Sequence, residues 1–280
     1  MKIIDLITQT LHEDKPTRDI TSDLLLPEAM SATAHVIAKS PGVFFGSPII
    51  GGLTHLMPDV SFDLLVADGD PINSNDVCVV LTGPLKLILE IERTLLNFLQ
   101  RLSGIATTTA AYVTALNDSS IDILDTRKTT PLLRSLEKQA VCSGGGVNHR
   151  FGLHDMVLVK ENHLALFLKS QTMDSFNEKL RIHKRRYPEI QIEVEVSSLE
   201  LLQTLDTSLV DIIMFDNMTL PALETCLSYL NIKPNSPLKE VSGNISLESI
   251  HRYRGIDIDR ISVGSLTHSV NALDLSLLVV

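Results

Sequence analysis

Beyond residue 120, short runs of β-branched and aliphatic residues alternate with stretches of helical periodicity. The runs are 121–125 (IDILD), 156–160 (MVLVK), 190–196 (IQIEVEV), 210–215 (VDIIMF), 238–241 (LKEV) and 259–263 (DRISV). The helical stretches between them, such as 198–206 and 219–230, are of crossover length. This alternation predicts βα units around a parallel sheet. Six such strands, each closing on a polar or glycine-containing turn, predict an α/β fold built on an incomplete (β/α) barrel. Barrel chemistry sits where the strands end. Those ends carry Arg127 and Lys128, Lys160, Glu195, Asp216, Ser242 with Gly243, and Gly264.

The first 120 residues follow another pattern. Strand-like runs at 33–38, 62–66 and 77–81, bounded by turns at 40–42 (SPG), 67–71 (ADGDP) and 82–84 (TGP), predict a small sheet. A long helix follows at about 85–103, where Glu90, Arg93, Asn97 and Gln100 form one polar stripe and Leu89, Ile91, Leu95, Leu96, Phe98, Leu99 and Leu102 cover the other sides. The expected division is an N-terminal α/β sandwich-like domain over 1–110 and a barrel domain carrying the active site over 111–265, with 266–280 packing back onto the first as a helix or strand. No run reaches the ~18 apolar residues a membrane span requires. The apolar stretch at the N-terminus is too short and too soon interrupted by acids for a signal peptide.

At 280 residues, with 44% hydrophobic and 21% charged residues, the chain has the composition of a globular protein and not a disordered one. Its formal charge of −10 argues against nucleic acid as the main partner. The three cysteines, Cys78, Cys142 and Cys226, offer no CxxC framework and point to a reducing cytoplasm. Cys142 reads as a small semi-buried thiol ahead of a nucleophile.

Charge is unevenly distributed. Residues 125–163 hold six Lys/Arg (Arg127, Lys128, Arg134, Lys138, Arg150, Lys160) against four acids (Asp125, Glu137, Asp155, Glu161), so this window is +2 and the remainder −12. A concave site can focus such local charge on an anionic ligand whatever the net charge. TRKTTP at 126–131 follows a strand, and Pro131 suits the first turn of a helix, whose free N–H groups would join two cations in an anion site; otherwise it is a solvated basic turn. GGGVNHR at 144–150 is neither a P-loop nor GxGxxG, and gains its meaning from His149 and Arg150 after flexible backbone, an arginine fork being suited to carboxylate or phosphate.

Lys160 closes an apolar strand, where it can clamp phosphate or form a Schiff base; neighbouring Arg127, Lys128 and Arg150 favour the clamp. Glu195 and Asp216 end successive strands, where two carboxylates facing a polyphosphate would hold Mg²⁺ or ribose hydroxyls, or else form buried salt bridges. Glu193 shares Glu195's face, and position alone does not separate them; Glu195, nearer the strand end, is preferred. SGN at 242–244 and VGS at 263–265 follow the last two strands, where barrel enzymes commonly bind phosphate through backbone amides.

The run TRKTTPLLRSLEKQAV with the following GGG, NHR and K-x-NH resembles the quinolinate phosphoribosyltransferases, the carboxylating nicotinate-nucleotide pyrophosphorylases. The resemblance extends through LHEDKPTRDIT (11–21), the stretch 92–107, the IEVEV strand, Asp216-Asn217, SGNIS (242–246) and SVGSLTHS (262–269). It implies quinolinate and 5-phosphoribosyl 1-diphosphate as substrates, Mg²⁺ as cofactor, and a homodimer or dimer-based oligomer in which Arg93 serves the neighbouring subunit. The binding positions it implies are Arg93, Arg127, Lys128, His149, Arg150, Lys160, Glu195, Asp216, Ser242, Gly243, Asn244 and Gly264. Lys128, Lys160, Glu195 and Asp216 are its catalytic positions, with Glu195 and Asp216 on Mg²⁺ directly or indirectly. This chain departs from the family pattern at Asn244, often glycine, and at Cys142, often arginine. Three other readings are a related pyrophosphorylase of molybdenum-transport operons with a different acceptor, a Schiff-base aldolase using Lys160, and a non-catalytic phosphate-binding barrel.

Overall fold

A computed structural model describes residues 2–233 and 236–280, which form two compact units. The first takes the chain up to Ala111, Thr129–Gly146 and Leu266–Val280; the second takes Tyr112–Lys128 and Val147–Ser265.

The first unit opens with helices α1 (Ile3–Asp14) and α2 (Ile20–Leu25), then strands β1 (Ser31–Ala38) and β2 (Gly42–Val43), helix α3 (Ser47–Leu56) and strands β3 (Ser61–Leu64), β4 (Pro71–Ile72) and β5 (Val77–Pro84). Helix α4 (Leu85–Leu116) follows; α5 (Arg134–Ser143), α10 (Ser265–His268) and β12 (Leu275–Val279) are added from later in the chain. The main sheet is antiparallel, in the order β12-β1-β5-β3. Strand β1 alternates as a one-sided strand should, burying Ala34, Val36 and Ala38. The Asp19 side chain caps α2 by accepting the Thr21 and Ser22 amides at 3.0 and 3.1 Å. The C-terminal tail resolves as a strand pairing with β1.

Two features differ from the sequence pattern. Helix α4 runs 13 residues past its expected end at 103, because Gly104 is a contact and not a stop: a Cβ there would lie 2.2 Å from the Asn271 carbonyl. The threonines beyond it stay helical through hydroxyl bonds to the preceding turn, Thr107 to the Ser103 carbonyl at 2.7 Å and Thr109 to that of Ile105 at 2.8 Å. Residues 129–146 group with this unit, although the strand pattern alone places them within 111–265. Arg101 of α4 anchors them by donating to the fully buried Glu137 at 2.8 and 3.0 Å, and a Cβ at Gly144 would lie 2.3 Å from the Ala106 carbonyl.

The second unit holds β6 (Asp122–Leu124), β7 (Val157–Val159), β8 (Ile192–Val196), β9 (Ile212–Asp216), β10 (Leu238–Ser242) and β11 (Arg260–Ser262), with helices α6 (Glu161–Leu168), α7 (Met173–Arg186), α8 (Leu199–Thr204) and α9 (Leu220–Asn231). All six strands are parallel, in the order β6-β11-β10-β9-β8-β7. Among the described residues β6 and β7 do not pair, so the barrel is incomplete, and Val147 bridges Leu124 in parallel. Pairing aligns Glu195 with Met214, Met214 with Glu240 and Glu240 with Arg260. Register neighbours in a parallel sheet share a face, so one face of this sheet is lined by charge while Ile192, Val194 and Val196 occupy the other. No helix among the described residues is long and apolar enough to cross a membrane.

Candidate active site

Strand polarity brings most of the expected residues to one end of the second unit. Lys160 follows β7 as the N-cap of α6, and its Nζ lies 3.7 Å from Glu195 Oε2 near the end of β8. Its own backbone N–H donates to His163 Nδ1 at 3.2 Å, and the Glu161 amide donates to Glu195 Oε1 at 3.4 Å. Asp216 ends β9, two residues beyond the level at which Glu195 pairs with Met214, and is aligned with Ser242 at the end of β10. Glu193 and Glu195 separate by depth: Glu193 is fully buried, while the Glu195 side chain keeps 11% exposure beside Lys160.

The turn after β10 is tightly specified. Gly243 has φ +95°, and a Cβ there would lie 2.2 Å from Asn217 Oδ1. Asn217 and Asn244 also adopt positive φ, 53° and 50°. Asn217 donates its backbone N–H to the Ser242 carbonyl at 2.9 Å and its side-chain amide to Asp216 Oδ2 at 2.7 Å, and Asn244 Nδ2 donates to Asn217 Oδ1 at 2.9 Å. Asn217 thus ties Asp216 to the glycine turn. Asparagine tolerates the left-handed region better than most side chains, which suits Asn244 to its φ of 50°. Gly243→Ala should cost about 1–3 kcal/mol of unfolding free energy through strain at that φ and the clash, whereas Asn244→Gly should stay within ~1 kcal/mol of wild type. Denaturant melts of the two variants check this; equal midpoints would show the turn to be slack.

The Arg150 segment is anchored from below. Asp125, fully buried after β6, accepts the His149 amide at 2.9 Å. The His149 ring is buried, with Nε2 3.1 Å from Glu193 Oε2 and 3.4 Å from Glu240 Oε1, while Nδ1 accepts the Arg150 amide at 2.8 Å. Asp155 accepts the amides of Phe151 and Gly152 at 2.6 and 3.0 Å, and the Arg150 guanidinium donates to the Met156 carbonyl at 3.2 Å. Burial, then the nearby Arg127 charge, lowers the Arg150 pKa below the usual guanidinium value. Two cations close enough to oppose one another in a half-buried place form a site that an anion would stabilise.

Burial pulls the His149 pKa down, but hydrogen bonds and charge from Glu193 and Glu240 raise it on balance to about 9. Burial pushes Glu193 up as well. Both shifts favour keeping protons within the His149, Glu193 and Glu240 cluster.

Lys128 and Gly264 follow β6 and β11 at this same end of the sheet, whereas Arg93 does not belong to it. Lys128 is exposed, its backbone N–H donating to Thr126 Oγ1 at 3.1 Å. Gly264 follows β11 and directly precedes α10. Arg93 belongs to the first unit, on an exposed face of α4 and 3.8 Å from Glu92. Pro131 does not open a helix: Leu132 takes φ 68° and α5 begins only at Arg134, while the Thr130 amide already donates to Glu137 at 3.1 Å. That helix start is therefore not the anion site the TRKTTP pattern suggested. Cys142 is exposed, not semi-buried. A cavity of about 210 Å³ is lined by Asn148, His149, Arg150, Met156, Gln191 and Arg260, the last three at the amino ends of β7, β8 and β11. Asp125, Glu240 and Asn217 were not singled out by spacing, although the alternation of β10 puts Glu240 on the face of Ser242, while Glu193 was set aside in favour of Glu195.

A parallel, incomplete barrel with cations, carboxylates and a glycine turn at its strand ends defines a phosphate-handling α/β enzyme. The family model of the quinolinate phosphoribosyl transferase C-terminal domain matches residues 105–278, and that of the N-terminal domain matches residues 19–103. The chain belongs to the quinolinate phosphoribosyltransferase family. It is 40% identical over 279 residues to a Bacillus subtilis protein named "Probable nicotinate-nucleotide pyrophosphorylase (carboxylating)", covering 99% of this chain and 93% of the relative. A Mycobacterium leprae nicotinate-nucleotide pyrophosphorylase (carboxylating) is 36% identical over 277 residues, covering 98% and 95%. The crystal structure of NadC from Streptococcus pyogenes superposes with a TM-score of 0.89 at 38% identity, covering 99% of this chain and 96% of that one.

Proposed function

We propose that this chain transfers the phosphoribosyl group of 5-phosphoribosyl 1-diphosphate to the ring nitrogen of quinolinate. The products are nicotinate mononucleotide, pyrophosphate and CO₂, in NAD biosynthesis. The observation that carries the reading is the gathering of Lys160, Glu195, Asp216 and the Ser242–Asn244 turn at one end of the parallel sheet, in a chain of the quinolinate phosphoribosyltransferase family.

The pyridine nitrogen is itself the nucleophile, so no side-chain nucleophile is required. Arg127 and Arg150 take the quinolinate carboxylates through guanidinium forks, with His149 fixing the Arg150 backbone. Lys160 and Lys128 supply mobile positive charge to the phosphates, Lys160 exchanging Glu195 for substrate. The amides of the Ser242–Asn244 turn and of Gly264 cradle the 5′-phosphate. Catalysis is then positioning and electrostatic stabilisation of an oxocarbenium-like ribosyl centre as pyrophosphate departs. Once the ring nitrogen is quaternised, the 2-carboxylate leaves as CO₂ because the cationic ring stabilises the electron pair left behind.

Glu195 and Asp216 fit Mg²⁺, being oxygen donors at strand ends that face the phosphate side. The ion would supply charge neutralisation for the pyrophosphate, and the same carboxylates accept the ribose hydroxyls. Glu195→Ala and Asp216→Ala should weaken binding of the phosphoribosyl donor by about 10-fold or more while leaving quinolinate affinity little changed, as expected for loss of a charged contact on the cation side. Titration calorimetry with each substrate in the presence of Mg²⁺ checks this, and the opposite pattern would reassign the two carboxylates.

The working assembly is a homodimer in which Arg93 serves the partner's site, and the setting is the cytoplasm, supported by three free thiols. The acceptor distinguishes this reading from a relative using another ring. Quinolinate should support turnover and nicotinate, with one carboxylate, should not; efficient use of nicotinate would sink the dicarboxylate reading.

A further inference from the structure

We propose that Glu193 and Glu240 are positioning residues that act through His149 to hold Arg150 in place for the dicarboxylate substrate. The inference rests on the quinolinate reading, and concerns two residues that touch no substrate in it.

Both glutamates are fully buried, and His149 Nε2 is the one nitrogen within ion-pair range of either among the described residues. Burying two carboxylates around one imidazole is costly, and a well-packed apolar cluster of the same volume would give a more stable fold. The arrangement is therefore poorly explained by stability. What it does is lodge the His149 ring between β8 and β10, from strands that border β9 on either side. The ring's other nitrogen then accepts the backbone N–H of Arg150 at 2.8 Å, and Asp125 holds the His149 backbone from the opposite side at 2.9 Å. The Val147–Leu124 bridge is the ladder contact of this segment with the sheet among the described residues. Beyond it, the histidine places the Arg150 backbone together with Asp125 and the Asp155 turn, while the Met156 carbonyl takes the guanidinium.

The three side chains also have ligand atoms within 4.8 Å of one another, a spacing that would suit a divalent cation. The tautomer argues against one. With Nδ1 accepting from Arg150, the ring proton resides on Nε2, which faces Glu193 and Glu240 at 3.1 and 3.4 Å. A cation at Nε2 would force that proton onto Nδ1, against the Arg150 N–H. The cluster is an imidazole wedged between two buried carboxylates.

The test is a double-mutant cycle in the full-length enzyme. Wild-type formation of nicotinate mononucleotide is measured first, and its failure would count against the quinolinate reading and not against the clamp. Glu193→Gln/Glu240→Gln, which keeps side-chain volume, should raise the quinolinate KM by roughly 10-fold, the scale of a lost contact with a charged group, with the KM for the phosphoribosyl donor unchanged and the melting temperature not lowered. In a His149→Ala background the same pair of substitutions should add nothing further, because the route to Arg150 is already cut. Should the double variant not fold, Glu240→Gln alone should show the same selective rise and the same lack of effect beside His149→Ala. Additive effects, an unchanged quinolinate KM, or equal loss for both substrates would overturn the proposal.

Discussion

Arg150→Ala and Lys160→Ala should each lower turnover of quinolinate by at least ~100-fold, the scale of removing a charge used in the transition state. The two losses should differ in kind. Arg150 is held rigidly by the Met156 carbonyl and the His149 ring, so its fork is set before substrate arrives. Its removal should raise the quinolinate KM as well as lower kcat. Lys160 is 54% exposed and tethered only to Glu195 at 3.7 Å among its ion-pair contacts, so its ammonium can swing to a phosphate. Its removal should fall mainly on kcat and on the donor. Arg150→Lys should recover little, because an ammonium cannot reproduce a planar fork. Steady-state kinetics of the three variants, with folding checked by circular dichroism, decide the matter. Near-wild-type turnover in either alanine variant would remove the anion-clamp account.

A second large effect concerns assembly. Arg93→Ala and Lys160→Ala should each be almost inactive alone, yet active when their subunits are mixed. Arg93 is 57% exposed on α4 and approaches no carboxylate but that of its chain neighbour Glu92 among the described ion pairs, which leaves its guanidinium available to a partner. If each site takes Lys160 from one subunit and Arg93 from the other, every mixed dimer holds one doubly damaged site and one intact site. Random mixing then restores about a quarter of wild-type activity, half the dimers being mixed and half their sites intact. Activity assays on mixed subunits, with exchange confirmed by pull-down of differently tagged chains, give the answer. No recovery after confirmed exchange would place Arg93 outside the neighbour's site.

The strands of the second unit were legible in the sequence because each is an apolar run closed by a polar residue, and all six runs found strands within their bounds or one residue beyond. The strand ends were legible for the same reason, since a parallel sheet puts every such closing residue at one end. What the sequence could not carry was depth. Glu193 and Glu195 look alike in IEVEV, and only the neighbouring His149 and Lys160 assign one to the buried clamp and the other to the mouth. Helix α4 escaped at its far end because glycine followed by threonines reads as a stop. Here the glycine answers a carbonyl from 271, and the threonine hydroxyls bond within the helix. Segment 129–146 was misassigned for a related reason: its anchor, Arg101 to Glu137, lies 36 positions away and leaves no local periodicity. Pro131 invited a helix start, but Leu132 turns left-handed and the helix waits until Arg134.

The most direct test of the central claim is product stoichiometry. The purified chain is incubated with Mg²⁺, 5-phosphoribosyl 1-diphosphate and quinolinate labelled in its 2-carboxylate, and nicotinate mononucleotide, pyrophosphate and labelled CO₂ are measured together. The account predicts that the three appear in equal amounts and only when both substrates are present. Pyrophosphate without nicotinate mononucleotide, or a stable Lys160 adduct trapped by borohydride with a carbonyl substrate, would contradict it.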